Sequence, residues 1–328
     1  MRPAALFLAL GLAAASATSA PAWWDAGHMQ IAALAWERLD EPVRAKVDAL
    51  LRVNAEQYRL WSAGAPDEAT GRQYAFIRAS VWADEIKDTP GYDARDDKVD
   101  GPEAGRNIGW GDKLPHAYWH FKDIGFSEDG TPAVHADPVD AASQIKLLSA
   151  ALAPGSGATD DVRSYDLVWL IHLVADAHQP LHAVARSSVL RPGGDAGGNF
   201  VDVQPATGEI IPLHAYWDRL LGTGSTPRQA VKDALGRDPA GTDPKRVRPS
   251  ASVLPGADRA RAAIADPDAW FAESAALARR YAYAEPVRSG EGPIRLDRAY
   301  ETAARSVARQ QAAVAGARLA NLINAALR

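Results

Sequence analysis

Residues 167–182 read LVWLIHLVADAHQPLH, and this stretch decides the fold. From Leu167 to Ala175 the 3.6-residue period is apolar on every side. A helix with that pattern has no face to show to water and belongs at the centre of a bundle. Pro180 breaks it, because proline lacks the N–H and clashes with the preceding turn. His172 and Asp176 lie four residues apart, so at 100° per residue they are separated by about 40° and share a face. Burying a carboxylate is costly unless it is paired or binds a metal, and no Lys or Arg flanks Asp176. A His–Asp hydrogen bond inside the core and a pair of metal ligands are both open on this evidence.

Outward from this segment the helical period continues. His28, Ile31, Ala32, Ala35 and Leu39 make one face, ended by Glu41-Pro42, and Tyr74, Ile77, Val81, Asp84 and Asp88 make a second. Asp137 as N-cap with Pro138 at the first helical position opens a third helix, with the stripe Ala141, Ile145, Leu148 and Leu152. An Ala-rich helix from about Leu296 to Leu327 closes the chain. Strand signals are confined to Asn199–Val203 and Glu209–Ile211, which a Pro-Ala-Thr-Gly turn joins into a small hairpin. The stretches 88–115 and 237–258 are loops that do not divide two self-sufficient halves. The expectation is a mainly α, single-domain helical bundle with one small β-hairpin.

Composition agrees. The chain has 328 residues with 47% hydrophobic and 23% charged residues, enough for a full core and unlike disordered or fibrous chains. Its net charge of −5 provides no global basic field, so a polyanionic substrate would need local positive charge. With no cysteine, disulfides, thiolate zinc sites and cysteine nucleophiles are all excluded. Arg2, the apolar run Ala4–Ala15 and the small residues ending Ala20-Pro21-Ala22 form a secretory signal peptide, residues 1–22, too short to span a membrane. Cleavage after Ala22 would start the mature protein at Trp23 and send it to the periplasm or the medium.

A second His–Asp pair with the same spacing, His214 and Asp218, follows the hairpin in LHAYWD. Two such pairs in apolar surroundings point to a metal site of imidazole and carboxylate ligands, and the set suits zinc better than iron, copper, calcium or magnesium. His182 lies where the chain turns away after Pro180. Asp84 ends an apolar stripe, and His120 lies between Trp119 and Phe121 with Asp123 three residues on. A freed α-amine at Trp23, with pKa near 8 and five residues before His28, could chelate together with its carbonyl.

In order, WWDAGH (23–28), SVWADEIK (80–87), WHFKD (119–123), IHLVADAHQPLH (171–182), GGN (197–199) and LHAYWD (213–218) resemble the zinc-dependent S1/P1 nucleases, the type I, single-strand-specific family. The chain looks like an exported, bacterial-type member without cysteines, whereas better known members carry disulfides. The resemblance implies the fold shared by phospholipase C and these nucleases, with a cleft holding three Zn²⁺ per chain. Asp84, His120, His172 and Asp176 would hold one. Trp23, His28 and the bridging Asp176 would hold a second, and His182, His214 and Asp218 a third. Asp123 would be the catalytic carboxylate orienting a metal-activated hydroxide for in-line attack on phosphorus, and Lys87 would stabilise the transition state. Phe121 would stack on an unpaired base, and Asn199 is the other expected substrate contact. The implied activity is hydrolysis of single-stranded DNA and RNA to 5′-phosphates, with 3′-nucleotidase activity, by a monomer without stable membrane association.

Two other readings compete. Zinc-dependent phospholipases C share the fold and ligand order but carry Glu where this chain has Asp218 and Asn where it has Ala185. A zinc-binding protein without turnover would need neither Asp123 nor Lys87. His178 is expected to be structural, His116 and His135 solvent-exposed, and the insertion RSSVLRPGGDA (186–196) a loop at the cleft rim.

Overall fold

The computed structural model describes residues 23–93, 97–239, 253–290 and 292–328, and the described chain is mainly helical. In chain order the first seven helices are α1 (Asp25–Arg38), α2 (Glu41–Leu51), α3 (Ala55–Trp61), α4 (Glu68–Ala79), α5 (Trp82–Glu85), α6 (Ala141–Leu152) and α7 (Asp160–Asp176). They are followed by α8 (Leu213–Asp218), α9 (Pro227–Leu235), α10 (Arg259–Ala262), α11 (Pro267–Leu277) and α12 (Arg298–Leu327). The strands are β1 (Ile124–Ser127), β2 (Val184–Ser187), β3 (Asp202–Gln204), β4 (Ile211–Pro212) and β5 (Ile294–Arg295). The expected signal peptide and most of the 237–258 loop fall outside the described residues.

The apolar period of residues 167–175 puts α7 at the centre. Every residue from Ser164 to Asp176 is buried, and α1, α2, α4, α5, α6 and α12 all pack on it. Thr159 caps its start by accepting from the Val162 N–H, with Asp160 and Asp161 in the positive first turn. The long helix α12 packs tightly on α1 at Gly316. A Cβ there would come 2.7 Å from Leu34 Cβ, so only glycine lets the two backbones meet.

Three expectations are corrected. The face Tyr74–Asp88 is not one helix: α4 stops at Ala79, and Asp84 rides on the separate turn α5. The break leaves the Ser80 carbonyl free, and it accepts a 2.7 Å hydrogen bond from His172 Nδ1. The cap of α6 is Asp140, not Asp137. Asp140 accepts from the Ser143 N–H while Ser143 Oγ accepts from the Asp140 N–H, a reciprocal box that fixes the start of α6 three residues later than expected. Strands also occur outside the hairpin. The hairpin itself forms, with Val203 opposite Ile211, and β5 pairs parallel to β3. The strands β1 and β2 pair in parallel from Ile124↔Val184 to Ser127↔Ser187. These strands follow His120 and His182 respectively, so their pairing sets the two histidine turns side by side.

Candidate metal centre

Eight of the expected ligands converge in three groups. His28, His172 and Asp176 form one, Asp84, His120 and His172 a second, and His182, His214 and Asp218 a third. Within each group the donor atoms lie within 4.8 Å of one another. The buried helix α7 supplies His172 and Asp176, α1 supplies His28, α5 supplies Asp84, and α8 supplies His214 and Asp218. The short turns Ala117–His120 and Pro180–Ala183 supply His120 and His182.

Asp176 joins the first two groups. Its Oδ2 is 3.0 Å from His120 Nδ1 and 3.2 Å from His172 Nε2, while its Oδ1 is 3.4 Å from His28 Nε2. One oxygen therefore faces each group, the disposition of a bridging carboxylate. Asp84 Oδ1 lies 3.8 Å from both His120 and His172. In the third group His214 Nε2 is 3.0 Å from His182 Nε2 and 3.6 Å from Asp218 Oδ2. Ligands held at 2.0–2.1 Å around a tetrahedral ion are about 3.4 Å apart, and these separations bracket that edge.

The rings are aimed from behind. His172 Nδ1 donates to the Ser80 carbonyl, His182 Nδ1 to the His120 carbonyl at 2.7 Å, and His214 Nδ1 to the Gly197 carbonyl at 2.8 Å. Fixing the proton on Nδ1 leaves Nε2 with its lone pair pointing into the site. Gly197 has φ 60°, and a Cβ there would meet the Leu181 carbonyl at 2.4 Å, so the GGN turn needs glycine to bring its carbonyl to His214. Asp218 is steered by Gln179, whose Nε2 donates to Asp218 Oδ1.

What remains unpaired tests whether a metal fits. Both ring nitrogens of His28, His120 Nε2, Asp176 Oδ1 and Asp218 Oδ2 are buried without a hydrogen-bond partner. A buried imidazole with no partner on either nitrogen is costly, and His28 is stacked on His172 with centroids 4.0 Å apart. Burial, then the neighbouring His172, holds His28 well below its ordinary pKa. His120 and His182 are likewise held well below theirs, chiefly by burial, and His214 is brought down to about 4. Neutral imidazole is the metal-binding form. Burial pushes Asp176 up to about 6 and Asp218 well above the carboxylate range, whereas beside Asp84 the Lys87 ammonium, 2.7 Å away, overrides burial and lowers its pKa. Nitrogen and carboxylate donors without thiolate fit zinc.

The other expected residues lie around this core. Trp23 is fully buried, and its Nε1 donates to the Ala175 carbonyl at 3.1 Å, next to Asp176. Phe121 is partly buried, with its carbonyl accepting from the Ala141 N–H. Burial, then the charges of Asp137 and Asp195, pushes Asp123 up to about 7. Asn199 Nδ2 donates to the Ala196 carbonyl.

His135 is exposed, as expected, but His116 is not. Its ring is fully buried, stacked on Trp119 at 3.7 Å, with Nε2 2.8 Å from Asp112 and Nδ1 3.4 Å from Asp97. The polar loop around it hid this, because its partners are carboxylates of that same loop. His178 is structural: its Nδ1 donates to the Val174 carbonyl, and its Nε2 accepts from Arg318. Gln179 and the Ser80 and Gly197 carbonyls had no signal of their own, although Gln179 lies inside the motif HQPLH.

A family model described as S1/P1 Nuclease matches residues 23–328. Among curated proteins, none matches the chain.

Proposed function

The chain belongs to the S1/P1 nuclease family, and from that premise we propose that it hydrolyses single-stranded DNA and RNA to 5′-phosphorylated products and removes phosphate from 3′-nucleotides. The family is a zinc-dependent one of phosphodiester hydrolases. The observation that carries the reading is the convergence of three donor groups around Asp176, with the partnerless ring of His28 among them. Zinc held there supplies a Lewis acid for a phosphoryl oxygen and lowers the pKa of a water.

The chain's own residues would do the rest. Asp84, Asp176 and Asp218 place three carboxylates in the cleft, so a phosphodiester enters only where bound cations outweigh them. Lys87, held on Asp84, would put an ammonium against the phosphate as charge builds in the transition state. Asp123, a carboxyl near pKa 7, can orient the attacking water and hold a proton near neutrality. Phe121 offers a ring to an unstacked base, which a duplex cannot present without unpairing, and Asn199 would hold the base edge. Trp23 would ligate through its amine and carbonyl once residues 1–22 are removed during export to the periplasm or medium. The protein would act as a monomer without stable membrane association. Among the described residues no helix is long and apolar enough to cross a membrane.

The test is an assay on single-stranded DNA, RNA, a 3′-nucleotide and phosphatidylcholine, with and without chelator. Chelator-sensitive cleavage of the first three and none of the lipid is expected. Lipid hydrolysis would favour a phospholipase C, and zinc binding without turnover would favour a store.

A further inference from the structure

The insertion at 186–196 carries a tight turn that, with Phe200 just beyond it, forms a small platform outside the metal-ligand groups. Ser188 and Arg191 exchange both backbone hydrogen bonds, at 3.1 and 2.9 Å, closing a tight turn with Val189 and Leu190 at its tip. Asp129 Oδ2 accepts from the Val189 N–H at 2.8 Å and pins the turn to the end of β1. The tip is apolar and bare: Val189 is 76% exposed and Leu190 89%. Beside it the Arg191 guanidinium lies 5.1 Å above the ring of Phe200, itself 37% exposed, and has no carboxylate partner among the described residues.

Lone exposed apolar residues need no explanation, but an exposed aliphatic pair, an aromatic ring and an unpaired cation together do. Their place gives the reason. Phe200 follows the GGN turn whose Gly197 carbonyl holds His214, and its N–H donates to the Asp195 carbonyl. Asp195 bears on Asp123 and accepts from the Arg186 N–H at 2.9 Å. The platform thus hangs on the same backbone that aims the third ligand group. In a chain of net charge −5, a guanidinium without a carboxylate partner among the described residues is complementary to a phosphate backbone.

We propose that Arg191 and Phe200 form a subsite for single-stranded polynucleotide outside the metal centre, Phe200 stacking on a base and Arg191 pairing with a phosphate beyond the scissile one. The proposal rests on the nuclease reading. It makes the insertion a device for holding long strands. Phe121 and Asn199 would serve the nucleotide being cut, whereas this platform would serve one further along.

The experiment compares kcat/KM on a 20-residue oligothymidylate with that on the dinucleotide TpT, which is too short to reach past the cleft. Arg191→Ala and Phe200→Ala should each lower the ratio about 10-fold, within the range for losing one stacked base. Phe200→Tyr should keep it. Arg191→Ala should also flatten the dependence of log KM for the 20-mer on log salt by about 0.7, the release from one single-strand phosphate. Ratios within twofold of wild type in both Ala variants would overturn the subsite. An equal fall in Phe200→Tyr and Phe200→Ala would also overturn it, because loop packing would then be the cause. If the wild-type protein cleaves neither substrate, the nuclease reading fails. Fluorescence anisotropy of the labelled 20-mer on the same four proteins then reads the platform directly: weaker binding by the Ala variants supports it, and equal or absent binding overturns it.

Discussion

Two kinds of buried histidine occupy this bundle, and they differ in what their ring nitrogens meet. His116 has Asp112 on one nitrogen and Tyr118 and Asp97 on the other, while His178 is satisfied by the Val174 carbonyl and Arg318. Burial pulls His116 down, yet the two carboxylates outweigh it and hold the ring above its ordinary pKa. His178, buried beside Arg318, is brought down to about 3. His28 has no hydrogen-bond partner on either nitrogen. A network whose members satisfy one another stabilises the fold, whereas donors that converge and stay unpaired lack a partner the chain does not supply. The same residue types thus serve as staples in one place and, in the other, form donor groups that could hold a metal.

The comparison breaks most sharply at Asp176. Asp176→Asn should lower nuclease activity at least about 1,000-fold, the scale of losing a preorganised charge at the reacting centre. Metal analysis of the variant should show two ions lost, one from each group the carboxylate faces. The same variant, stripped of metal, should unfold no earlier than stripped wild type, because a buried carboxyl pushed up to about 6 has been removed. Loss of one ion with activity intact would end the bridging assignment.

The N-terminus gives the next largest effect. In a protein keeping an extra Met or tag before Trp23 the Trp23 nitrogen is an amide rather than an amine, and that protein should be about 100-fold less active than the same protein trimmed to Trp23, with one ion fewer. Equal activity and equal metal content before and after trimming would remove Trp23 from the ligand set and leave His28, His172 and Asp176 as that group.

His116→Phe sharpens the other side. It keeps the stack on Trp119 but leaves Asp112 and Asp97 facing each other without the imidazole, which should cost about 3–5 kcal/mol by denaturant unfolding. The folded variant should still carry its full zinc. A drop in zinc at unchanged stability would invert the distinction between staples and ligands.

The smallest effect is at Asp166, which accepts from Asn107 Nδ2 at 2.9 Å while its Oδ1 is buried without a partner. Burial raises its pKa to about 7, outweighing the Asn107 hydrogen bond. The folded value lies above the unfolded one, so the fold favours the neutral acid. The contribution is full below about pH 4 and is lost as pH rises through about 7. Asp166→Asn should therefore gain on the order of 2–4 kcal/mol relative to wild type at pH 8, and that gain should vanish by pH 4, read as unfolding midpoints across the range. A pH-independent difference would contradict a buried neutral acid.

Much of this was legible in the sequence, and the physical reason is locality. The helix α7 declared itself because it is apolar on every side, and His172/Asp176 and His214/Asp218 because four-residue spacing on a helix fixes a shared face. What stayed hidden depends on contacts distant in sequence. The end of α4 at Ala79 makes sense only once the Ser80 carbonyl is seen to serve His172, 92 residues away. The strands β1 and β2 are four residues each, too short to set a period against their surroundings, and they pair across 60 residues. His116 reads as a loop residue although Asp112 lies four residues before it, because its backbone is left-handed at φ 45° and no apolar stripe marks a helix there.

The central claim is that the unpaired donors around Asp176 and Asp218 are zinc ligands, and metal analysis of the purified protein beginning at Trp23 tests it most directly. Close to three zinc ions per chain are expected, removed by chelator together with activity on single-stranded DNA and restored with it. One ion or none in active protein would contradict the claim.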